Sequence, residues 1–306
     1  MMVNLRRTSA RLARASLSGS EVGGVSKSPA GRRAGSKATS PASTAAPHAR
    51  RNKAAASPPA RKQKLTTHAG AATPSPSGLC AYERRAFAKG DRVVVGVDEA
   101  GRGPLCGPVV AAAVAVDAKQ LPAALAYLGD DAVRIDDSKK LNEQNREELY
   151  ERIVSAPGLY VARSFVDAKT IDEINILQAT LRGMRDAVKE LSKARAEVQG
   201  KVDHVFIDGN KIPSDMPEVV GPKAVVESVV GGDGKVWCIA AASIVAKVER
   251  DRYMRVLHDK HPVYNLGTHK GYGTAQHMRA IHEHGPIDEH RRSFAPIKGV
   301  EKWARK

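Results

Sequence analysis

The chain has 306 residues with 42% hydrophobic side chains and a formal net charge of +16, long and apolar enough for a packed core of one large or two small domains. Three cysteines, Cys80, Cys106 and Cys238, are too few and too widely spaced for a disulfide framework or a CxxC metal site, and read as reduced thiols. No stretch approaches the roughly 18 uninterrupted apolar residues of a membrane helix.

The charge is unevenly distributed. Residues 1–78 hold 14 Lys and Arg against the single acid Glu21, a balance of +13, which leaves residues 79–306 with 35 basic and 32 acidic groups, or +3. The high pI therefore describes the tail and says little about what the folded part binds. Residues 1–78 are rich in Ala, Ser, Pro, Arg and Gly and are expected to be disordered, because they cannot bury enough surface to offset the entropy of ordering. At their start, Arg6, Arg7, Arg11 and Arg14 alternate with Leu5, Leu12, Ala13 and Leu17. That is the Arg-rich, acid-poor make-up of an amphipathic transit peptide. A mitochondrial address is expected, with the clusters "HARRNK" and "ARKQK" leaving a nuclear one open.

From Asp91 the texture changes. "RVVVGV" is a β-branched strand, and "VVAAAVAV" (Val109 to Val116) follows closely enough to form an antiparallel hairpin with it. "SKKLNEQNREELYERIVS" predicts a helix with Ser138 as N-cap, and "YVARSFV" a strand. "AKTIDEINILQATLRGMRDAVKELSK" predicts one long amphipathic helix with Ile171, Ile174, Leu177, Leu181, Met184 and Val188 as its apolar stripe. "DHVFIDG" is a short strand ending at Asp208, and "AVVESVVGGDGK" another ending near Asp233. "IAAASIVAKVERDRYMRVLHDKHP" is a helix of small residues suited to packing on a sheet, and "THKGYGTAQHMRAIHEHG" a glycine-rich basic loop running into a last helix. Strands with helices on their faces make an α/β or α+β domain over residues 79–306.

Three apolar strands thus end in carboxylates: Asp98 with Glu99, Asp208, and Asp233. If the strands are neighbours, four carboxylates share a small volume, and each raises the others' pKa unless cations neutralise them. Oxygen ligands without Cys or well-spaced His select hard divalent ions, Mg²⁺ or Mn²⁺. Two such ions about 4 Å apart activate a water and stabilise the leaving oxygen of a phosphodiester. That is equipment for a nuclease. A lone Asp before Gly, as at Asp208, is also an ordinary turn former. The adjacent pair Asp98 and Glu99, set between a buried run and Gly-Arg-Gly, is not.

"GRGPLCGP" lacks the third glycine of a dinucleotide fingerprint. Gly101 and Gly103 instead suit close approach of the main chain to a nucleic-acid backbone, with Arg102 adding charge. Lys139 and Lys140 stand at a helix start, where the dipole disfavours bases, so phosphate binding explains them better than a solvated face. His269, Lys270 and Tyr272 form either a phosphate and sugar-stacking loop or a plain surface turn. Asp251 and Lys247 lie on the small-residue helix and are second-rank candidates, Asp251 suiting an intrahelical charge network. His282, His284 and His290 have no supporting Cys or acid at zinc-ligand spacing.

Taken together, "VGVDEAGRGPLCGPVVAAAV", "DDSKKL", "INILQATLRGMRDAV", "FIDGN", "IAAASIVAKVERDRYM", "HKGYGT" and "HGPIDEHRRSF" resemble the successive motifs of ribonuclease HII, the bacterial-type type 2 ribonuclease H. The resemblance runs from about Arg92 to Pro296. It implies a ribonuclease H-like fold, a mixed central sheet flanked by helices with a small C-terminal helical region from about residue 255. It implies Asp98, Glu99, Asp208 and Asp233 as catalytic, metal-holding acids for two Mg²⁺ or Mn²⁺ ions. Gly101, Arg102 and Gly103 would recognise the 2′-hydroxyl at an RNA–DNA junction, and Tyr272 would pack on the following deoxyribose. The implied reaction cuts RNA in RNA/DNA hybrids, and single ribonucleotides in duplex DNA on their 5′ side, leaving 3′-hydroxyl and 5′-phosphate ends. Such a protein would act as a monomer in ribonucleotide and primer removal. One departure is "VVGGDGKVW", where many members carry a lysine before the Gly-Asp. The extension ahead of Asp91 supports an organelle-targeted eukaryotic member. Two other classes remain in view: a non-catalytic binder on the same fold, which the presence of all four acids argues against, and a phosphotransferase, which would need a nucleotide-binding glycine loop.

Overall fold

The computed structural model describes residues 81–130, 132, 135, 141–196 and 201–299. The tail ending at residue 78 and the lysines Lys139 and Lys140 lie outside them. Five strands form one sheet in the order β3-β2-β1-β4-β5: β1 (Val93–Ala100), β2 (Val109–Asp117), β3 (Leu159–Val166), β4 (His204–Asp208) and β5 (Val225–Val229). β1 pairs antiparallel with β2 as the hairpin pattern predicts, β2 antiparallel with β3, and β1–β4 and β4–β5 are parallel. The sheet is therefore mixed, as expected.

The helices among the described residues are α1 (Ala81–Ala88), α2 (Leu121–Leu128), α3 (Glu143–Ser155), α4 (Ala168–Ala196), α5 (Met216–Val220), α6 (Trp237–Lys260), α7 (Leu266–His269) and α8 (Ala275–His284). Alternation along β1 and β2 divides the core into two layers. Val94, Ala112, Val114 and Val116 face α6, whereas Val93, Val95, Val97, Ala111, Ala113 and Ala115 face α4 through Met184, Ala187 and Val188. The alanines of β2 let both helices approach closely, and all nine residues of that strand are buried. Gly96 has a specific reason to be glycine: a Cβ there would lie 2.2 Å from the Cys238 carbonyl carbon, so its absence seats the start of α6 on β1. α1 holds the same helix end, because the buried Glu83 Oε1 accepts the Cys238 N–H at 2.9 Å.

Two expectations are corrected. The helix after the "SKKL" segment is capped by Asn142, whose side chain accepts the Asn145 N–H, and not by Ser138, which lies outside the described residues. The long helix is two segments joined at Asn175, where φ is 66°. The Asn175 carboxamide accepts the Leu177 and Gln178 N–H groups and so restarts the helix. The expected apolar stripe accordingly splits, Ile171 and Ile174 packing against Val109 and Val166, and Leu181, Met184 and Val188 against the sheet face. α6 itself runs unbroken to Lys260, its last turns packing through Tyr253, Met254 and Leu257 against Tyr264, Leu266 and Ile281 of the C-terminal segments.

Candidate active site

Parallel pairing places the first carboxylates. Val94 to Val97 of β1 pair with His204 to Ile207 of β4, and the same register carried one residue on sets Asp98 beside Asp208. Asp98, Glu99 and Asp208 each bring an oxygen within 4.8 Å of the others. At such distances two charges near a protein surface repel by roughly 3–4 kcal/mol. Asp98 is 6% exposed. Burial first, then the charges of Glu99 and Asp208, push its carboxyl well above the usual carboxylate range. Burial also raises Glu99, with Arg102 opposing and Asp208 adding to the shift. The Glu99 N–H, at 2.7 Å, and the Ser243 hydroxyl of α6 donate to Asp98.

Asp233 is not in this three-carboxylate group. It sits on a single 3₁₀ turn, Gly232–Gly234, after β5. That turn is fastened to the group, because the Gly232 N–H donates to Asp208 Oδ1 at 2.6 Å. Lys235 Nζ closes it from behind on the Val230 carbonyl at 2.6 Å. The sequence expectation of four converging acids is thus met by three, with the fourth on the adjoining turn.

Directly after Glu99 the chain enters the Gly101–Gly103 turn. Gly101 adopts φ +99°, and a Cβ there would strike the Arg250 side chain at 2.0 Å, so glycine is required both for conformation and for space. Two buried arginines hold this turn. Arg291 donates to the carbonyls of Gly101 (2.6 Å), Arg102 (2.9 Å) and Gly107 (2.9 and 3.0 Å). Arg250 donates to those of Pro108 and Cys106, each at 3.1 Å. The Arg102 side chain itself points outward, 52% exposed and 3.4 Å from Glu99. Across from the turn stands Tyr272, half exposed, its ring edge 3.6 Å from where a Cβ on Gly103 would be. A main-chain bond from the Leu105 N–H to the Gly271 carbonyl, 2.8 Å, joins the two loops directly.

Glu99, Gly101 and Tyr272 open onto a cleft of about 380 Å³ that Arg146, Ser243 and Lys247 also line. Lys247 pairs with the buried Asp251 at 2.6 Å, one helical turn apart, so Asp251 takes the intrahelical role its sequence context suggested. Sequence reasoning did not assign Arg146, Ser243, Arg250 or Arg291 to the site. Ser243 and Arg250 lie in the quoted "IAAASIVAKVERDRYM" and Arg291 in "HGPIDEHRRSF", but a buried arginine and a surface one look the same in sequence. In what it can do, the arrangement combines a crowded oxygen-only donor set suited to hard divalent cations with a main-chain turn and an aromatic ring facing the same cleft. No helix among the described residues is long and apolar enough to cross a membrane.

Comparison with known proteins agrees with this geometry. The family model described as Ribonuclease HII matches residues 95–297. Ribonuclease HII of Xanthomonas campestris pv. campestris (strain 8004) is 47% identical over 207 residues, covering 68% of this chain and 77% of that one. Ribonuclease HII of Burkholderia vietnamiensis (strain G4 / LMG 22486) is 46% identical over 215 residues, covering 70% and 88%. Among solved structures, ribonuclease H2 from Pyrococcus horikoshii OT3 superposes with a TM-score of 0.54 at 25% identity, over 70% of this chain and all of that one. Bst-RNase HIII in complex with Mn²⁺ shares the fold at 19% identity, with a TM-score of 0.54 over 70% of this chain and 71% of the other. With its mixed sheet, its acids at the ends of parallel strands and a match that spans the described core, the chain belongs to the ribonuclease HII family.

Proposed function

We propose that the protein is a divalent-metal-dependent endoribonuclease that cuts the RNA strand of RNA/DNA hybrids. On duplex DNA it cuts on the 5′ side of a single embedded ribonucleotide, leaving 3′-hydroxyl and 5′-phosphate ends. The observation that carries this is the placement of Asp98, Glu99 and Asp208, within 4.8 Å of one another, at the mouth of the Gly101–Gly103 turn. The oxygen-only, charge-crowded donor set fits Mg²⁺ or Mn²⁺. Asp98, Glu99 and Asp208, with Asp233 from the adjoining turn, would hold the ions. When bound, the ions supply activation of water and stabilisation of the leaving oxygen.

Recognition falls to the chain's own residues. Gly101 and Gly103 allow the main chain to come against the sugar-phosphate backbone, where the 2′-hydroxyl is the handle that separates RNA from DNA. Arg250 and Arg291 keep that turn in one conformation. Arg102, beside Glu99, and Lys247 of the cleft lining supply positive charge for phosphates, and Lys139 and Lys140, outside the described residues, are assigned the same role. Tyr272 offers a ring face to the deoxyribose beyond the ribonucleotide.

An end-labelled duplex with one ribonucleotide, incubated with the full-length protein and Mg²⁺ or Mn²⁺, tests this. One cut 5′ to the ribonucleotide is expected, with none in the presence of chelator and none in an all-DNA duplex. Cutting of the all-DNA duplex, or a cut on the 3′ side, contradicts it. The proposal extends to a monomer in ribonucleotide and primer removal, checked by sedimentation. It extends also to a mitochondrial address for residues 1–78, the nucleus being the alternative, which a reporter fusion distinguishes.

A further inference from the structure

We infer that His277 and His290 are positioning residues for Tyr272, acting through a directional chain of neutral imidazoles that fixes the tyrosine loop against the Gly101–Gly103 turn. Both rings are fully buried, and they are 13 residues apart, on α8 and in the segment after it. Their Nε2 atoms are 3.1 Å from each other. His277 Nδ1 is 2.9 Å from the Tyr272 carbonyl, and the Ile287 N–H points at His290 Nδ1 from 3.0 Å.

These contacts allow one assignment of protons. His290 accepts at Nδ1 from a main-chain N–H, so its proton is on Nε2. That proton is donated to His277 Nε2, which must be bare, and His277 therefore carries its own proton on Nδ1 and donates it to Tyr272. A third ring, His269, stacks on His277 with centroids 4.5 Å apart. It accepts the Gly271 N–H at Nδ1, 3.3 Å, and donates from Nε2 to the Tyr264 carbonyl at 2.9 Å. Tyr272 and the residue before it, Gly271, are thus each held by a histidine ring, and the Tyr272 carbonyl receives the Thr274 N–H as well, at 2.8 Å. The relay ends where the loops meet: Cys106 pairs with His290 as a β-bridge, and Gly271 bonds Leu105. A metal ion bridging the two Nε2 atoms would require a proton on His290 Nδ1, which the Ile287 N–H already faces. Burial pushes His277 down to about 4 and His290 down to about 3, in keeping with neutral rings.

Because Tyr272 is assigned to substrate only in the proposed function, the test separates the two. The full-length enzyme is assayed on duplex DNA with one ribonucleotide as wild type, His277→Ala, His277→Asn, Tyr272→Ala and the double variant His277→Ala with Tyr272→Ala. Losing the orientation of one stacking ring is expected to raise KM roughly tenfold with kcat nearly unchanged in His277→Ala. His277→Asn keeps an N–H for the Tyr272 carbonyl and is expected to recover most of that. In the Tyr272→Ala background the His277→Ala change should add less than about twofold. The same tenfold factor in both backgrounds, or a loss confined to kcat, overturns the relay. Tyr272→Ala with wild-type KM overturns the assignment of Tyr272 to substrate. Nitrogen-15 NMR of the histidine rings in the wild type decides the relay even if a variant fails to fold. His277 protonated on Nδ1 and His290 on Nε2 supports it, whereas the reverse tautomers, or Nε2 atoms of both rings bound to added Zn²⁺, overturn it.

Discussion

Two charged regions lie side by side in this molecule and treat charge in opposite ways. At the ends of β1 and β4, Asp98, Glu99 and Asp208 crowd within 4.8 Å with one exposed arginine facing them, and burial drives Asp98 and Glu99 toward the neutral form. Across the Gly101–Gly103 turn, Arg250 and Arg291 are buried more deeply still, at 1% and 0% exposure, yet both donate to main-chain carbonyls. Burial and the neighbouring Arg250 hold Arg291 down to about 9, which leaves it cationic at neutral pH. The acidic cluster accepts a few hydrogen bonds, the Glu99 and Gly232 N–H groups among them, but keeps a like-charge repulsion that a bound cation would relieve. The basic pair is satisfied already and shapes the turn. In the proposed function the first sets up chemistry and the second recognition, and substitutions in each should therefore fail differently.

The largest effect is expected at the acidic side. Asp98→Asn removes a ligand charge without adding volume and should lower the single-turnover cleavage rate about a thousandfold or more. The same substitution should raise the thermal midpoint of the metal-free protein, because it relieves like-charge repulsion. A variant that loses activity and stability together would erase the contrast between the regions. Next comes Arg291→Met, which takes the donor from the carbonyls of Gly101, Arg102 and Gly107 and should cost about 3 kcal/mol in denaturant unfolding. An unfolding midpoint within error of wild type would show that the turn holds itself.

The site's legibility in sequence follows the same division. Asp98, Glu99 and Asp208 could be read because each interrupts or ends an apolar run, and their convergence needed only that β1 and β4 be neighbours. Gly101 was legible as a turn residue. Arg250, Arg291, His277 and His290 were not, since burial decides their role and their partners come from the ends of other segments with no periodic signal. The strands were readable from β-branched runs. The kink at Asn175 was hidden because an asparagine inside an apolar stripe reads as an ordinary outward-facing position, and the cap was misplaced because Ser and Asn are equally good N-cap types.

A smaller effect concerns acid. The folded values of His277 and His290, about 4 and about 3, lie below the ordinary 6.5. The unfolded chain therefore binds more protons in between, and stability falls as pH drops from about 6.5 toward 4. His269, His261 and Arg292 face the pair and oppose charge there. Thermal melts from pH 7 to pH 5 should decline less steeply when both histidines are replaced by Asn; equal slopes would contradict the neutral relay. The smallest effect is expected for Arg102→Ala. Its side chain is 52% exposed, so stability should be unchanged, KM should rise a few-fold, and the salt slope of binding should fall by about 1.

The most direct measurement is equilibrium binding of Asp98→Asn, with Mg²⁺, to a duplex carrying one ribonucleotide and to its all-DNA counterpart, scored alongside cleavage. Separate regions for chemistry and recognition predict no cut and a retained preference for the ribonucleotide duplex. Loss of that preference together with the cut, or cleavage at near wild-type rate, would contradict the account.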